Sequence, residues 1–432
     1  MVYGKRASWV LAACVACMAA GSCGRSGVEE GEPGEAAQAV EPAQPPEPAQ
    51  PIDAKVVSEW EAAGGEYGWV RIDELGITSW QPQSEEPGPG ALAGFRFEAF
   101  PAGKLAGLPQ PEVPFGLYLE GCQVNDQHVK ELVGFERLRI LGLAINQITD
   151  EGVAQLATLK GLRSLDLTEN PITSACMKHV GRLQGLQTLD LNQTPVGDDG
   201  VRQIAGLKNL WMLDLTATGI TDEALKHVGK LPRLRMLYLN GLPSITDVGM
   251  AHLKACSELE FLSMDSTGIT GEGLAHLAGL KKLATFGGAN IMWSDAGLDA
   301  LGRLKALRLL DVGGAMLGNG RLNKLADLTK LESLAVDYSM VVDEDLRALR
   351  KMKNLTELDL QGNDISDKGL EQISTLTALK ILRLRNTKVS DAGLLRLTTL
   401  KNLREIDLHR TGVTTEGAAK LKEALPELEV KF

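Results

Sequence analysis

Leucine recurs with a period of 24 residues over most of this 432-residue chain. Thirteen copies cover residues 114–432, each reading LxxLxLxx(N/T)xI(T/S)DxGLxxLxxLxx, and the first copy, from Pro114, is degenerate. A fixed period of this length indicates a solenoid of stacked units. One residue is added after the copy at Leu234, and the twelve later copies begin at Leu138, Leu162, Leu186, Leu210, Leu234, Leu259, Leu283, Leu307, Leu331, Leu355, Leu379 and Leu403.

The residue pattern within each copy predicts one strand followed by one helix. The alternation LxLxx gives a strand with one face buried, and the step (T/S)-D-x-G-L supplies a hydroxyl N-cap and a carboxylate in the first helical turn. Asparagine or threonine at the ninth position can satisfy turn backbone groups. Because no copy buries its own apolar face, neighbours must stack. The pattern therefore predicts an α/β solenoid with a parallel β-sheet on the concave side and helices on the convex side.

These motifs resemble the leucine-rich-repeat family, of the ribonuclease-inhibitor-like kind that carries helices. The TDxGL-type copy is also similar to tandem repeats in exported bacterial proteins. The resemblance covers about three quarters of the chain. It implies a horseshoe-shaped solenoid that binds its ligands on the concave strands.

The first 23 residues are predicted to be an export signal. Lys5 and Arg6 precede an apolar run over residues 7–20, which is too short to span a bilayer. The run ends in AGSC, which resembles a bacterial lipobox with Ala where Leu is usual. We expect lipidation at Cys23, with a plain signal peptide cut near Ser22 as the alternative.

Two further segments precede the repeats. Residues 24–55 are rich in Pro, Glu and Ala and can bury almost nothing, so we expect a disordered linker. Residues 56–113 are expected to form an N-terminal cap with a short helix, a glycine break and a strand, and FRFEAF is a further strand candidate. Trp60, Trp69 and Trp80 are expected to pack on the first copy.

The composition argues against several classes of function. A net charge of −11 disfavours binding to nucleic acid and to anionic lipid. The sequence has no Walker, HExxH, GxSxG or EF-hand motif, so we predict no enzymatic activity and no cofactor. Cys122, Cys176 and Cys256 should be three unpaired, mostly buried thiols. Four histidines share one helix position, where splayed helices keep metal ligands apart: His179, His227, His252 and His276.

The first candidate binding surface lies on the concave strands. Met212, Met236 and Phe261 share one strand column, and Trp211 and Tyr238 flank them. An apolar and aromatic centre with a polar rim is the usual anatomy of a protein-binding hot spot. We prefer this concave patch because the family usually binds ligands on these strands.

The second candidate surface runs along one rim of the solenoid. Met292, Met316 and Met340 stand at the tenth position of three successive copies, where other copies carry exposed polar residues. Exposed contiguous apolar surface indicates a contact site, and methionine suits adaptable contacts. Tyr338 borders a floor on which a partner's backbone could approach, and an equally weighted alternative is that this region packs on itself. The floor consists of Gly287, Gly288, Gly313 and Gly314.

Two other residue classes in the repeats invite interpretation. Trp293 stands at the eleventh position, which elsewhere holds a core isoleucine, so we expect it to be an oversized core residue. Six strand aspartates are expected to face the concave side with solvated carboxylates, and a cationic partner for them is the alternative. They are Asp166, Asp190, Asp214, Asp311, Asp359 and Asp407.

The sequence as a whole predicts a non-enzymatic protein–protein interaction module in the bacterial cell envelope. We expect it to be exported, to touch the membrane only through lipidated Cys23, and to bind a protein partner on its concave face. Two alternatives stay open. One is a structural envelope spacer without a single ligand, and the other is a carbohydrate-binding domain.

Overall fold

The computed structural model describes residues 50–88 and 90–432. The predicted export signal, Cys23 and most of the predicted linker lie outside the described residues. The strands are β1 (Glu66–Ile72), β2 (Thr78–Pro82), β3 (Leu92–Arg96), β4 (Phe115–Tyr118), β5 (Leu138–Gly142), β6 (Ser164–Asp166), β7 (Thr188–Asp190), β8 (Met212–Asp214), β9 (Met236–Tyr238), β10 (Phe261–Ser263), β11 (Thr285–Gly287), β12 (Leu309–Asp311), β13 (Ser333–Ala335), β14 (Glu357–Asp359), β15 (Ile381–Arg383), β16 (Glu405–Asp407) and β17 (Glu429–Lys431).

Helices connect successive strands on the other side of the sheet. The α-helices are α1 (Ala54–Ala62), α2 (Asp126–Val129), α3 (Asp150–Leu156), α4 (Met177–Val180), α5 (Gly197–Ile204), α6 (Asp222–Val228), α7 (Asp247–Leu253), α8 (Asp295–Leu301), α9 (Asp367–Ile373), α10 (Asp391–Leu394) and α11 (Thr415–Ala424). Six further segments are 3₁₀ helices: Leu105–Gly107, Ser174–Cys176, Glu272–Leu277, Arg321–Leu325, Asp345–Lys351 and Leu395–Thr399. Among the described residues, none of these helices has the length and apolar character needed to cross a membrane.

The strands form one open sheet that follows the repeat. From β3 onward each strand pairs in parallel with the next, and β1 pairs antiparallel with both β2 and β3. Ser164, Thr188 and Met212 stand opposite one another on neighbouring strands, so equivalent residues form straight columns. The predicted α/β solenoid with a parallel sheet on the concave side is therefore confirmed.

The space between the sheet and the helices is filled by the repeated leucines. Leu165, Leu189 and Leu213 are all buried and form one column of the core. At the ninth position, Asn146 Oδ1 accepts from the backbone N of Val124 at 2.8 Å, and its Nδ2 donates to the carbonyl of Leu119 at 2.9 Å. The predicted role of this position in satisfying turn backbone groups is confirmed.

Aspartate side chains join neighbouring copies near the helix starts. Asp126 accepts from the backbone N (2.9 Å) and the hydroxyl (2.6 Å) of Thr149 in the next copy. The glycine of TDxGL is needed here, because a Cβ at Gly152 would lie 2.4 Å from Asp126 Oδ1. We call this pair of bonds the Asp–Thr clamp. It recurs at Asp150–Thr173, Asp198–Thr221, Asp222–Thr246, Asp247–Thr270, Asp343–Ser366, Asp367–Ser390 and Asp391–Thr414.

The N-terminal cap begins earlier than the sequence suggested. Helix α1 starts at Ala54, its N-cap Asp53 accepts from the N of Lys55, and Ile52 is buried in the core. The predicted linker end at residue 55 is therefore wrong, because an apolar side chain and a helix cap are already present in its last residues.

The three cap tryptophans have different surroundings. Trp60 is fully buried, stacks on Phe95 with ring centroids 4.3 Å apart, and meets Phe115 of the first copy, as predicted. Trp69 packs against the same core. Trp80 instead lies beneath the guanidinium of Arg96, 4.2 Å from its ring centroid, so its predicted contact is replaced by one within the cap.

Candidate protein-binding surfaces

The concave patch is covered by the chain's own N-terminal cap. The turn between β1 and β2, residues 73–77, crosses the concave face, and we call it the hairpin tip. Its Leu75 is only 2% exposed and belongs to one apolar cluster with the patch, and Tyr238 Oη donates to the carbonyl of Leu75 at 3.0 Å. The expectation of an open surface here is therefore wrong. The patch residues under the tip are Met212, Met236, Tyr238 and Phe261, all buried, and the half-buried Trp211.

The shape of the hairpin tip is set by its own sequence, DELGI. Asp73 Oδ1 accepts from the backbone N of Leu75 and of Ile77, both at 2.9 Å, which closes an Asx turn. Gly76 has a φ of +81°, and a Cβ there would lie 2.4 Å from Met212 Cγ. Only glycine combines this left-handed backbone with so close an approach. The sequence contains the signal for a turn, but no local signal shows which strands it covers.

Three of the six strand aspartates, Asp166, Asp311 and Asp359, are buried instead of solvated, and Asp190, Asp214 and Asp407 are half-buried. Burial raises the pKa of Asp166 and Asp190, and it raises that of Asp214 to about 6. The neighbouring Asp214 and Asp166 raise the pKa of Asp190 further. These carboxylates stand in one column on β6 to β8. Charging them therefore costs free energy in the folded state.

The rim stripe of Met292, Met316 and Met340 is exposed, as predicted. The three side chains are 72%, 39% and 67% exposed, and Tyr338 beside them is 51% exposed. Met292, Met316 and Met340 thus present apolar side chains to solvent at the same position of three successive copies, as a contact surface would. The rim stripe is thus the accessible member of the two candidate surfaces.

Two methionines of the rim stripe adopt a left-handed backbone. The φ angles are +49° at Met316 and +58° at Met340, whereas the equivalent position of an earlier copy is Gly219, with φ +72°. A non-glycine residue in this conformation costs on the order of 1 kcal/mol. Neither side chain is buried, so core packing does not explain why methionine stands there.

An arginine that the sequence did not single out holds the rim loops together. Arg321 Nε donates to Asp295 Oδ1 (2.8 Å), Nη1 to the carbonyl of Met316 (2.7 Å) and Nη2 to that of Trp293 (2.7 Å). These bonds lie where the Asp–Thr clamp residues are replaced: Gly271 and Asn319 take the aspartate position, and Gly318 and Val342 the hydroxyl position. The loss of the TDxGL motif over successive copies was the sequence signal that could have pointed to a different contact here.

Trp293 is a core residue, as predicted. It is buried, meets Phe286 edge-on with centroids 6.2 Å apart, and donates from Nε1 to the carbonyl of Gly288 at 3.2 Å. A Cβ at Gly288 would lie 2.9 Å from the indole, so this glycine makes room for Trp293. At Gly288 the alternative in which this region packs on itself is therefore correct, and the floor for a partner is not.

Gly287 and Gly313 instead lie beside carboxylates. A Cβ at Gly313 would lie 2.4 Å from Asp337 Oδ1, and one at Gly287 would lie 3.3 Å from Asp265 Oδ1. Gly314 has a φ of +78°. The glycines of this region thus leave room for Trp293 and for the carboxylates, and Gly314 allows the left-handed backbone of the turn.

The cysteines and histidines add no site. The thiols of the described residues, Cys122, Cys176 and Cys256, are unpaired and buried, as predicted. Burial raises the pKa of Cys122 to about 11 and those of Cys176 and Cys256 to about 12, so they stay protonated. Within residues 50–88 and 90–432, no group of three or more His, Cys, Asp or Glu side chains is placed to hold a metal ion.

Comparison with known proteins supports the repeat fold. Two sequence models of the leucine rich repeat match, one over residues 160–220 and one over residues 351–374. No curated protein matches the sequence significantly.

Two solved structures of similar fold have the same TM-score. An internalin of Listeria monocytogenes has a TM-score of 0.53 and 18% identity, over 71% of this chain and 88% of its own. A leucine-rich-repeat protein of Leptospira interrogans has a TM-score of 0.53 and 20% identity, over 73% and 75%. At such identities the likeness concerns the fold.

Proposed function

Because this chain is a leucine-rich-repeat protein, we propose that it is a non-enzymatic protein-binding module whose docking surface is the rim stripe with Tyr338. The observation that carries the proposal is the exposed methionine edge, two members of which keep a costly left-handed backbone. Backbone strain of this kind persists where the surrounding structure enforces it, and it clusters at functional sites. The concave patch, closed by the hairpin tip, is not available to the same partner.

The proposal includes a place in the cell. The module is exported through residues 1–23, anchored in a bacterial envelope by lipidated Cys23 and held off the membrane by the linker. The supporting observation is the lipobox-like ending of the apolar run. Replacing Cys23→Ser should move the protein from the detergent phase to the aqueous phase in phase partitioning. Equal partitioning of the variant and the wild type would remove the anchor from the proposal.

The test of the docking surface compares two sets of exposed apolar residues. Met292, Met316 and Met340 are replaced together by serine, and the control is Val248→Ser, since Val248 is 73% exposed on α7. Partners are captured by cross-linking in intact cells and identified by mass spectrometry. The triple variant should lose at least about tenfold of one dominant partner, as expected for hot-spot residues, while the control keeps it.

The opposite pattern would contradict the proposal. If the triple variant captures the same proteins in the same yield as the wild type, the rim stripe is not the docking surface. If no protein dominates and cross-links spread evenly over the helices, the chain is better described as an envelope spacer.

A further inference from the structure

The methionines of the described residues divide into two groups that differ in solvent access. One group is buried, with side chains at most 5% exposed, in the core or beneath the hairpin tip: Met177, Met212, Met236, Met250, Met264 and Met352. The other group is the rim stripe, whose three side chains are exposed. Within residues 50–88 and 90–432, the solvent-accessible thioethers therefore all lie at one position of three successive copies.

The thiols of the described residues are shielded from solvent as well. Cys122, Cys176 and Cys256 are buried. Burial raises the pKa of Cys122 to about 11 and those of the other two to about 12, so all three are protonated at neutral pH. The thiolate, and not the thiol, is the form that attacks a peroxide. In the part of the chain that the structure describes, the rim stripe thus presents the sulfur atoms that an oxidant in solution reaches first.

The residue type at these three sites is specific within the repeat. The tenth position of other copies holds residues such as Gln147, Asp364 and Lys388. Leucine, which fills most apolar positions of the repeat, stands at the tenth position of none of the twelve copies from Leu138 onward. Because leucine has nearly the same volume and apolar character as methionine, apolar contact alone does not account for three methionines in a row. Methionine differs from leucine in its reactive thioether.

Oxidation of a thioether by a peroxide changes the chemistry of a surface in a defined way. A lone pair of the sulfur attacks one oxygen of hydrogen peroxide and the O–O bond breaks. The transferred hydroxyl gives its proton to the departing hydroxide, so that the sulfur is oxidised to a sulfoxide and the peroxide is reduced to water. The sulfoxide is polar and disrupts interfaces that depend on methionine.

Three sulfoxides in the rim stripe would fall within one contact area. Neighbouring copies are about 5 Å apart along a sheet, so the three sites span no more than a small docking surface. None of the three side chains belongs to the hydrophobic core of the described residues, and the solenoid should therefore keep its stability when they are oxidised.

We propose that the rim stripe is a peroxide-sensitive switch, in which oxidation of Met292, Met316 and Met340 to sulfoxides releases the protein partner. A methionine sulfoxide reductase restores docking: the sulfoxide oxygen leaves as water while a dithiol reductant becomes a disulfide. This inference rests on the proposed function and adds the regulation of the same surface.

The first test needs no partner. The purified full-length protein is treated with hydrogen peroxide for increasing times, digested, and analysed by mass spectrometry for the addition of oxygen. Met292, Met316 and Met340 should be oxidised at least about tenfold faster than Met212 and Met264, because thioether oxidation follows solvent access. Urea unfolding of the protein oxidised at the rim stripe should give the same free energy as before treatment. Equal oxidation rates in the rim and the core, or a loss of stability, would overturn the inference.

The second test asks whether oxidation controls docking. Met292, Met316 and Met340 are replaced together by leucine, which conserves volume and has no sulfur to oxidise. Cross-linking capture in cells is then carried out with and without a short pulse of hydrogen peroxide. The pulse should lower the yield of the dominant partner at least about tenfold for the wild type, as expected for the loss of hot-spot contacts, and should leave the yield of the leucine variant unchanged.

The leucine variant is also the control for damage elsewhere, because its partner meets the same oxidant. If the pulse affects the wild type and the leucine variant equally, in either direction, the switch is refuted. A leucine variant that captures no partner before the pulse would contradict the inference as well, because docking is expected to need only the apolar contact.

Failure of this inference is distinguishable from failure of the proposed function. If the methionine-to-serine variant loses the partner but the pulse leaves wild-type capture unchanged, the rim stripe remains the docking surface and the switch is wrong. If the serine variant keeps the partner, the proposed function fails, and the switch fails with it.

Discussion

Two rim methionines have a backbone conformation that favours glycine. Replacing either one by glycine should therefore affect the stability of the protein and its binding to a partner in opposite directions. Met316 and Met340 have positive φ angles and exposed side chains, while Gly219 occupies the equivalent place in another copy. A glycine at either site would relieve the steric cost and remove the side chain that the proposed partner contacts. The two roles of these residues can therefore be measured apart.

Met340→Gly should leave the free energy of unfolding unchanged or raise it by up to about 1 kcal/mol. The same change should weaken capture of the partner, because the apolar contact is lost. The control is Asn386→Gly, which relieves a φ of +56° away from the rim stripe and should leave capture unchanged. Urea unfolding and cross-linking yield are the two measurements. A clear loss of stability at Met340→Gly would assign the side chain to the fold instead.

Strand aspartates with a raised pKa should make stability depend on pH. The pKa of Asp214 is about 6 in the folded protein, above its ordinary 3.8, because of burial. A raised carboxyl pKa means that stability is full below pH 3.8 and falls as the pH rises through 6. Thr216 N donates to Asp214 Oδ1 at 2.7 Å, and asparagine can accept this bond as well.

Asp214→Asn should therefore be nearly neutral near pH 4 and stabilising near pH 7, by on the order of 1–2 kcal/mol relative to wild type. Urea unfolding at the two pH values measures the difference. Asp199→Asn, at an exposed convex position, is the control and should show no such trend. A pH-independent difference between Asp214→Asn and wild type would show that the carboxylate is not held in a water-poor site.

At the scale of single elements, the β1–β2 hairpin decides which part of the concave face is accessible, because its tip covers the concave patch. It docks through Leu75, through Gly76 against Met212 and through the hydrogen bond between Thr78 Oγ1 and Ser164 Oγ, 3.0 Å apart. These contacts are few and lie at the end of a two-stranded ribbon. Local opening of the tip should therefore cost less than unfolding of the solenoid.

Leu75→Ala should loosen the hairpin tip, because a buried leucine that becomes alanine costs roughly 2–4 kcal/mol. Amide hydrogen exchange in residues 73–82 should become faster, and so should oxidation of Met212 and Met236 beneath the tip. Glu74→Ala is the matched control, since Glu74 is the exposed neighbour. If the leucine variant exchanges like the control, the tip does not depend on this contact.

The repeat could be read from the sequence because each copy touches only its neighbours. Residues 24 positions apart, such as Ser164, Thr188 and Met212, are predicted to form a column in the sheet. The exposure of the rim stripe is predicted because other copies carry polar residues at its position. The cover over the concave patch could not be read in this way. The bond from Tyr238 to the carbonyl of Leu75 joins residues 163 positions apart, and no periodicity reaches across that distance. The raised pKa values of Asp190 and Asp214 were missed for the same reason.

At the scale of the whole molecule, the concave face has two halves with different roles. The N-terminal half is closed by the hairpin, and the copies that carry Met292, Met316 and Met340 are open at the rim and acidic on the adjoining strands. The clamp is missing between the copies that start at Leu259, Leu283, Leu307 and Leu331, and Arg321 joins the rim loops there instead. Three successive losses of the clamp thus fall in the region where the partner is proposed to bind.

Methionine oxidation footprinting in purified protein and in intact cells tests this central claim most directly. Thioether oxidation follows solvent access, so in the purified protein Met292, Met316 and Met340 should oxidise fast while Met212 and Met236 stay protected. In cells that contain the partner, the rim methionines should become protected as well. Fast oxidation of Met212 and Met236 in the purified protein, or rim methionines that oxidise equally fast in cells, would contradict the account.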